Sequence, residues 1–189
     1  MTESLFLSSH HDLWIVAVSV VIATLASFVT LDLSMRVRSP NGDVSNMWWM
    51  TGSLVMGTGI WSMHFVGMLA YTLPIQLGFT AFTTLMSWVA AVAASGIALR
   101  VASNADYSIR SIAAASLAMG VGICAMHYIG MAALNVTPGI VWDYRIVAAS
   151  AVIAVAASAA ALFIFRVLLQ VRAERRFPMQ LLAAVVMGM

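Results

Sequence analysis

The chain has 189 residues, of which 62% are hydrophobic and only 8% charged, with a formal net charge of +2. A soluble domain carries roughly 45–50% apolar and about 25% charged residues, so the composition excludes a water-soluble globular fold and describes a membrane protein. All nine basic residues are Arg; their placement follows the apolar segments, so the small positive balance is a topology signal and implies no nucleic-acid partner.

Crossing a bilayer core of about 30 Å takes about 20 mostly apolar helical residues. Segments of that kind are predicted near 12–35, 47–72, 78–100, 108–134 and 145–169, with a sixth starting near 178. Runs of this length are too long for the strands of an outer-membrane barrel, which are about ten residues of alternating polarity. The predicted fold class is all-α, a polytopic transmembrane helical bundle.

Before the first span, MTESLFLSSHHD has no Lys or Arg, unlike the basic start of a cleaved signal peptide, so the first helix is expected to stay. His10 and His11 in this stretch read as solvated residues close enough to lend a ligand. Asp32, near the far end of the first span, pairs in an i, i+4 register with Arg36. Trp48 and Trp49 open the second span, Tyr71 closes it, and Trp142 and Tyr144 precede the fifth, an arrangement resembling interfacial aromatic belts. Arg36, Arg38, Arg100, Arg110, Arg166, Arg172, Arg175 and Arg176 fall on one side and Arg145 alone on the other. By the positive-inside rule, the N-terminus is outside and the first, third and fifth loops are cytoplasmic. Cys124 is the single cysteine, so no disulfide framework is available.

The second and fourth spans are copies of one another. SLVMGTGIWSMHFVGMLA (53–70) and SLAMGVGICAMHYIGMAA (116–133) share 11 of 18 positions at an offset of 63 residues. The odd spans also end alike, as DLSMRV, GIALRV and FIFRV, so the repeating unit is a pair of helices. Met187-Gly188 matches Met56-Gly57 and Met119-Gly120. A third repeat is therefore truncated, with its histidine expected beyond Met189, and a chain ending there is expected to recruit a partner chain, giving a homo-oligomer.

At about 100° per residue, His64 and Met68 share a helical face with Gly57, and Met56, Met63 and Gly67 cluster beside them; His127, Met131, Gly120, Met119, Met126 and Gly130 repeat the pattern. Small residues let membrane helices approach closely, so the two histidines are expected within reach of each other, past the midpoint of their helices and towards the outer leaflet. Imidazole and thioether ligands favour copper. Zinc through the histidines and haem held by a His pair or by His and Met stay open. The candidate metal ligands are His64, His127, Met63, Met126, Met68 and Met131. Each Met is equally well read as a packing residue, whereas an ionisable residue inside a membrane is a functional candidate by default. Cys124 takes the place of Trp61 in the other copy and reads as packing.

The tandem MHFVGM and MHYIGM, each late in an even helix, resemble the MHYT domain of bacterial signalling proteins, and the resemblance covers essentially the whole chain. It implies an integral inner-membrane sensor module, commonly fused to cytoplasmic diguanylate cyclase and phosphodiesterase domains. It further implies copper at the motif residues and a diatomic gas as ligand, such as oxygen, carbon monoxide or nitric oxide. Val66 and Ile129 stand where the namesake motif has Thr. The sequence shows no nucleophile with its base, no phosphate-binding glycine loop and no catalytic carboxylate pair, so this segment is not expected to be an enzyme. A haem-carrying redox protein and a purely structural or transporter-like bundle are the alternatives to a sensor.

Overall fold

In a hydrocarbon environment every backbone N–H and C=O must be paired within the protein, which leaves a chain this apolar only helices to cross with. The fold is given by a computed structural model that describes residues 10–37, 45–72, 78–102, 108–136, 140–169 and 173–188. The described residues form six helices, α1 Leu13–Val37, α2 Asn46–Leu69, α3 Ala81–Ala102, α4 Ile109–Ala132, α5 Tyr144–Leu169 and α6 Ala173–Gly188. Four segments, Leu13–Leu33, Ala81–Val101, Ile109–Ala132 and Tyr144–Ile164, are long and apolar enough to cross a membrane by themselves. The 24-residue α2 is diluted by Gly, Ser and Thr and packs between α1 and α3. The bundle is all-α, as the composition requires.

Several helix starts are set by local chemistry. Asp12 Oδ1 accepts from the amides of Trp14 at 2.9 Å and Ile15 at 3.4 Å, capping α1. Ser108 Oγ accepts from Ser111 N at 3.1 Å at the head of α4, and Asp143 Oδ1 accepts from Arg145 N at 2.8 Å at the head of α5. Each cap satisfies an amide that the first helical turn leaves without an intrahelical acceptor.

Two short antiparallel pairs close one end of the bundle: β1 (His10–His11) with β2 (Tyr71–Thr72), and β3 (Gly78–Phe79) with β4 (Leu134–Asn135). They explain why α2 ends at Leu69 and α3 begins at Ala81, inside the expected bounds of 72 and 78: the flanking residues exchange backbone bonds with a distant segment. At the other end of the chain α6 begins at Ala173, five residues before the expected start. Pro178 lies within this helix, where its missing N–H costs a backbone bond. The expected partner of Asp32, the side chain of Arg36, falls outside the described residues, as does residue 38.

Packing follows the repeat. Neighbours run α6, α1, α2, α3, α4, α5, each against the next, with slight contact between α5 and α6. Asp12 N donates to Ala70 O and Thr80 N to Ala133 O, both at 2.9 Å. Gly57 lies so close to α3 that a Cβ would stand 2.5 Å from Val92 Cα; at Gly120 a Cβ would stand 2.8 Å from Val155 Cα on α5. Gly59 likewise faces Ala26 on α1 and Gly122 faces Ala94 on α3, so corresponding odd-helix residues are 68 apart between α1 and α3 and 63 apart between α3 and α5. The same register governs α6. Trp49 Nε1 donates to Gly96 O on α3 at 2.8 Å, and Gln180, seven residues before Met187 as Trp49 is before Met56, donates through Nε2 to Phe28 O on α1 at 3.3 Å. The third pair therefore seats on the first as the first seats on the second, giving a pseudo-threefold arrangement. Its core lies in the half away from the strand pairs, where Leu31, Ala98, Ala115, Met119, Leu162, Ala183 and Ala184 pack together.

Candidate metal centre

His64 and His127 each lie five residues before the end of an even helix, roughly 7.5 Å in from that end at 1.5 Å per residue. Helices α2 and α4 touch little along their lengths, and the repeat turns both motif faces towards the space between them. The two imidazoles meet there with ring centroids 4.8 Å apart and planes at 61°. Among the described residues His64 Nε2 is buried with no hydrogen-bond partner, as are Thr30 Oγ1 and Trp61 Nε1. A buried polar atom left unpaired costs about 1–3 kcal/mol, and of the three His64 Nε2 is the one that carries a lone pair suited to a metal and lies beside a second imidazole.

Gly130 makes the approach possible. A Cβ at this position would lie 3.4 Å from His64 Nε2, 3.3 Å from Phe65 Cε2 and 3.3 Å from Ser87 Oγ, which is tight against three groups at once. At Gly67, the matching residue of the first copy, the only side chain within that reach among the described residues is Ser19, with its Oγ at 3.4 Å.

Two serines outside the motifs hold the motif helices in register. Ser19 Oγ on α1 donates to Met63 O at 2.7 Å, and Ser87 Oγ on α3 donates to Met126 O at 2.8 Å. Each accepting carbonyl belongs to the residue immediately before a motif histidine, and Ser87 is fully buried. Sequence reasoning missed both. The signal exists, since Ser19 and Ser87 occupy matching sites 68 residues apart, but the evident likeness of the odd helices at their Arg-bearing ends does not share that offset.

An aromatic rim stands at the strand-capped end. Phe65 packs on Phe79 at 5.6 Å and Tyr128 on Trp142 at 5.3 Å, a pairing repeated between copies, and Trp61 leans on Phe65 at 4.6 Å. Ser150 Oγ donates to Val147 O at 2.8 Å, which leaves its lone pair to accept the Tyr128 hydroxyl at 2.5 Å. Trp142 and Tyr71, read from sequence as interfacial belt residues, thus have protein partners: Trp142 the motif tyrosine, Tyr71 the His11 ring at 5.2 Å. Trp49 likewise serves an interhelical bond, with the Arg100 guanidinium 5.6 Å from its ring centre.

The methionines are dispersed by comparison. Met126 is buried and borders a cavity with Met56 and Met119; Met63, Met68 and Met131 are half-buried. Cys124 is a half-buried free thiol. Among the described residues there is no group of three or more His, Cys, Asp or Glu arranged to hold a metal, so a hard cation or a closed four-ligand zinc site finds no donor set. The pair of imidazoles with one unpartnered buried nitrogen fits a borderline or soft ion, with further ligands of another kind.

The family model for MHYT, described as the N-terminal repeat of bacterial signalling proteins, matches residues 4–45, 57–115 and 120–184. The chain is similar to the bifunctional diguanylate cyclase/cyclic di-GMP phosphodiesterase MucR of Pseudomonas aeruginosa, with 46% identity over 160 residues, 85% of this chain and 23% of the relative. Its likeness to the signaling protein YkoW of Bacillus subtilis is 35% over 151 residues, 80% of this chain and 19% of the relative. For the cyclic di-GMP phosphodiesterase NbdA of Pseudomonas aeruginosa it is 32% over 174 residues, 92% of this chain and 22% of the relative. The chain spans only 19–23% of the length of these proteins. No solved structure matches it. The helix-pair repeat, its two histidine motifs and the match along most of the sequence together place the chain in the MHYT family, the N-terminal repeat of bacterial signalling proteins.

Proposed function

We propose that this membrane-embedded signalling domain is a sensor in which His64 and His127 hold a metal ion, copper before zinc, where a diatomic gas such as oxygen, carbon monoxide or nitric oxide is met from the outer side. In this reading the N-terminus is outside, the membrane is the inner one, and the output is a cytoplasmic cyclic di-GMP turnover domain of the kind named in MucR and NbdA. Catalysis belongs to that output and not to these helices. The observation that carries the reading is the approach of the two imidazoles to 4.8 Å with the buried His64 Nε2 unpartnered.

The separation favours one ion over a haem. With ring centres 4.8 Å apart, His64 and His127 would hold a single ion between them, and a haem between the rings would require α2 and α4 to part. The motif methionines supply thioethers near enough in sequence to complete a copper site, and thioether sulfur draws the choice towards Cu(I).

For signalling, the domain must have two helix arrangements that the ligand tells apart, because only a difference in affinity moves the equilibrium. His64 and His127 sit on different helix pairs, so a change in their spacing is a change between repeats.

The test is metal analysis of the detergent-purified chain. Wild type is expected to retain copper, and His64→Ala and His127→Ala each to lose most of it; equal metal content in all three proteins removes the metal reading. A Soret band in the wild-type spectrum would instead select the haem alternative.

A further inference from the structure

The matched residues that end in the two histidines continue inward for two more turns. Ile60 and Ile123 lie four positions before His64 and His127, on the same helical faces and about 6 Å further into the bundle. Met56 and Met119 lie one turn deeper. All four border one cavity, with α3 as its third wall, and so does Met126, the residue before His127. Its free space is about 10 Å³, room for one water-sized molecule and nothing larger.

The walls decide what that molecule is. They present no polar surface, and their one hydroxyl, Ser95 Oγ, already donates to Ala91 O at 2.8 Å. A buried water needs about two to four polar partners, which this space does not offer. A bare ion costs far more to bury than a neutral molecule, and an organic ligand exceeds the space. A small neutral apolar molecule is left, and for such a guest a dry apolar cavity is a better solvent than water. We propose that this cavity is a docking site for one molecule of an apolar diatomic gas, one helical turn inward of the histidine pair. Gas dissolved in the hydrocarbon of the bilayer then has a place to wait beneath the imidazoles, besides the approach from the outer side. That use of the held gas rests on the sensing reading above; occupancy of the cavity does not.

The opposing view is an ordinary packing gap. Folded interiors hold few voids as large as a water, and methionine is the side chain that fills irregular gaps, yet three methionines border this space and leave it open. Met119 and Met126 are 7% and 2% exposed, so their methyl groups report on the cavity and not on the surrounding lipid.

Dioxygen is paramagnetic and speeds the relaxation of nearby methyl protons, which reads occupancy directly. The full chain in detergent is labelled at its Met and Leu methyl groups, freed of metal by a chelator, and compared by NMR under dioxygen and under nitrogen at equal pressure. Leu31 and Leu99, each 2% exposed and outside the cavity wall, are equally buried controls. The enhancement at Met119 and Met126 is expected to be several-fold that at the two leucines; an enhancement no larger than theirs overturns the site. Ala91→Val narrows the cavity and is expected to bring the methionines down to the leucine level, whereas undiminished enhancement in a folded Ala91→Val protein overturns the site. If that variant does not fold, the wild-type comparison decides alone. His64→Ala/His127→Ala is expected to keep the enhancement, and its loss there places the gas at the histidines and overturns the cavity. Enhancement in a chain that metal analysis finds free of copper supports the cavity while removing the metal reading, so the two fail separately.

Discussion

Gly130 sets how near the two histidines come. An added Cβ meets His64 Nε2, Phe65 and Ser87 at 3.3–3.4 Å, contacts that side chains relieve by moving a few tenths of an ångström. At Gly120 the same atom stands 2.8 Å from Val155 Cα and 2.9 Å from its N, and backbone cannot yield so cheaply. Overpacking costs about 1–3 kcal/mol, partly offset by the better helix propensity of Ala, up to about 1 kcal/mol. Gly120→Ala is therefore expected to lower the thermal midpoint in detergent clearly, by a net of about 1–2 kcal/mol, while Gly130→Ala stays near wild type. Copper affinity should show the reverse order, because only Gly130→Ala displaces the His64 ring. A Gly130→Ala protein with wild-type affinity would mean that the ring position does not govern binding.

Among the helices, Ser19 and Ser87 tie each odd helix to the carbonyl preceding a motif histidine. Interhelical hydrogen bonds of this sort in membrane proteins contribute about 0.6–2 kcal/mol. Ser87→Ala is expected to cost an amount in that range in reversible unfolding, and Ser19→Ala a similar or smaller amount, Ser87 being the more deeply buried. The two bonds belong to separate helix pairs, so the double variant should show nearly the sum; a large departure would mean that the pairs are coupled through the histidine contact. At this scale the sequence was legible where periodicity and composition speak. Apolar runs revealed the spans, and the likeness of two 18-residue stretches revealed that His64 and His127 had equivalent places. The strand pairs were not legible, because two residues give no alternation to read and their partners lie some 60 positions away. The start of α6 was hidden by its charges and Pro178, which fall ahead of the apolar run. The methionines carry the least local information: the same flexible side chain serves as ligand or filler, and only the fold showed that Met126 shares a cavity with Met56 and Met119.

At the scale of the whole molecule the two ends of the bundle differ. Both strand pairs, the aromatic rim and the nearer ends of the histidine helices lie at one end; the apolar core and the Arg-bearing ends of the odd helices lie at the other. In the proposed orientation, which the positive-inside rule favours, the Arg ends face the cytoplasm and the histidine pair would be about 7.5 Å below the external helix ends. Val141, 95% exposed ahead of α5, and Ile109, 80% exposed at the head of α4, mark the two sides. In a Cys124→Ala background, Val141→Cys is expected to react with a membrane-impermeant maleimide on intact cells, and Ile109→Cys only after permeabilisation. The opposite pattern would place the imidazoles in the inner leaflet. A gas crosses the bilayer from either side, so the proposed gas sensing would survive such an inversion. If the pair holds copper as proposed, the ion would then have to come from the cytoplasm, where it competes with intracellular ligands. Labelling therefore decides the orientation of the chain and, with it, the side from which the proposed ion would be supplied.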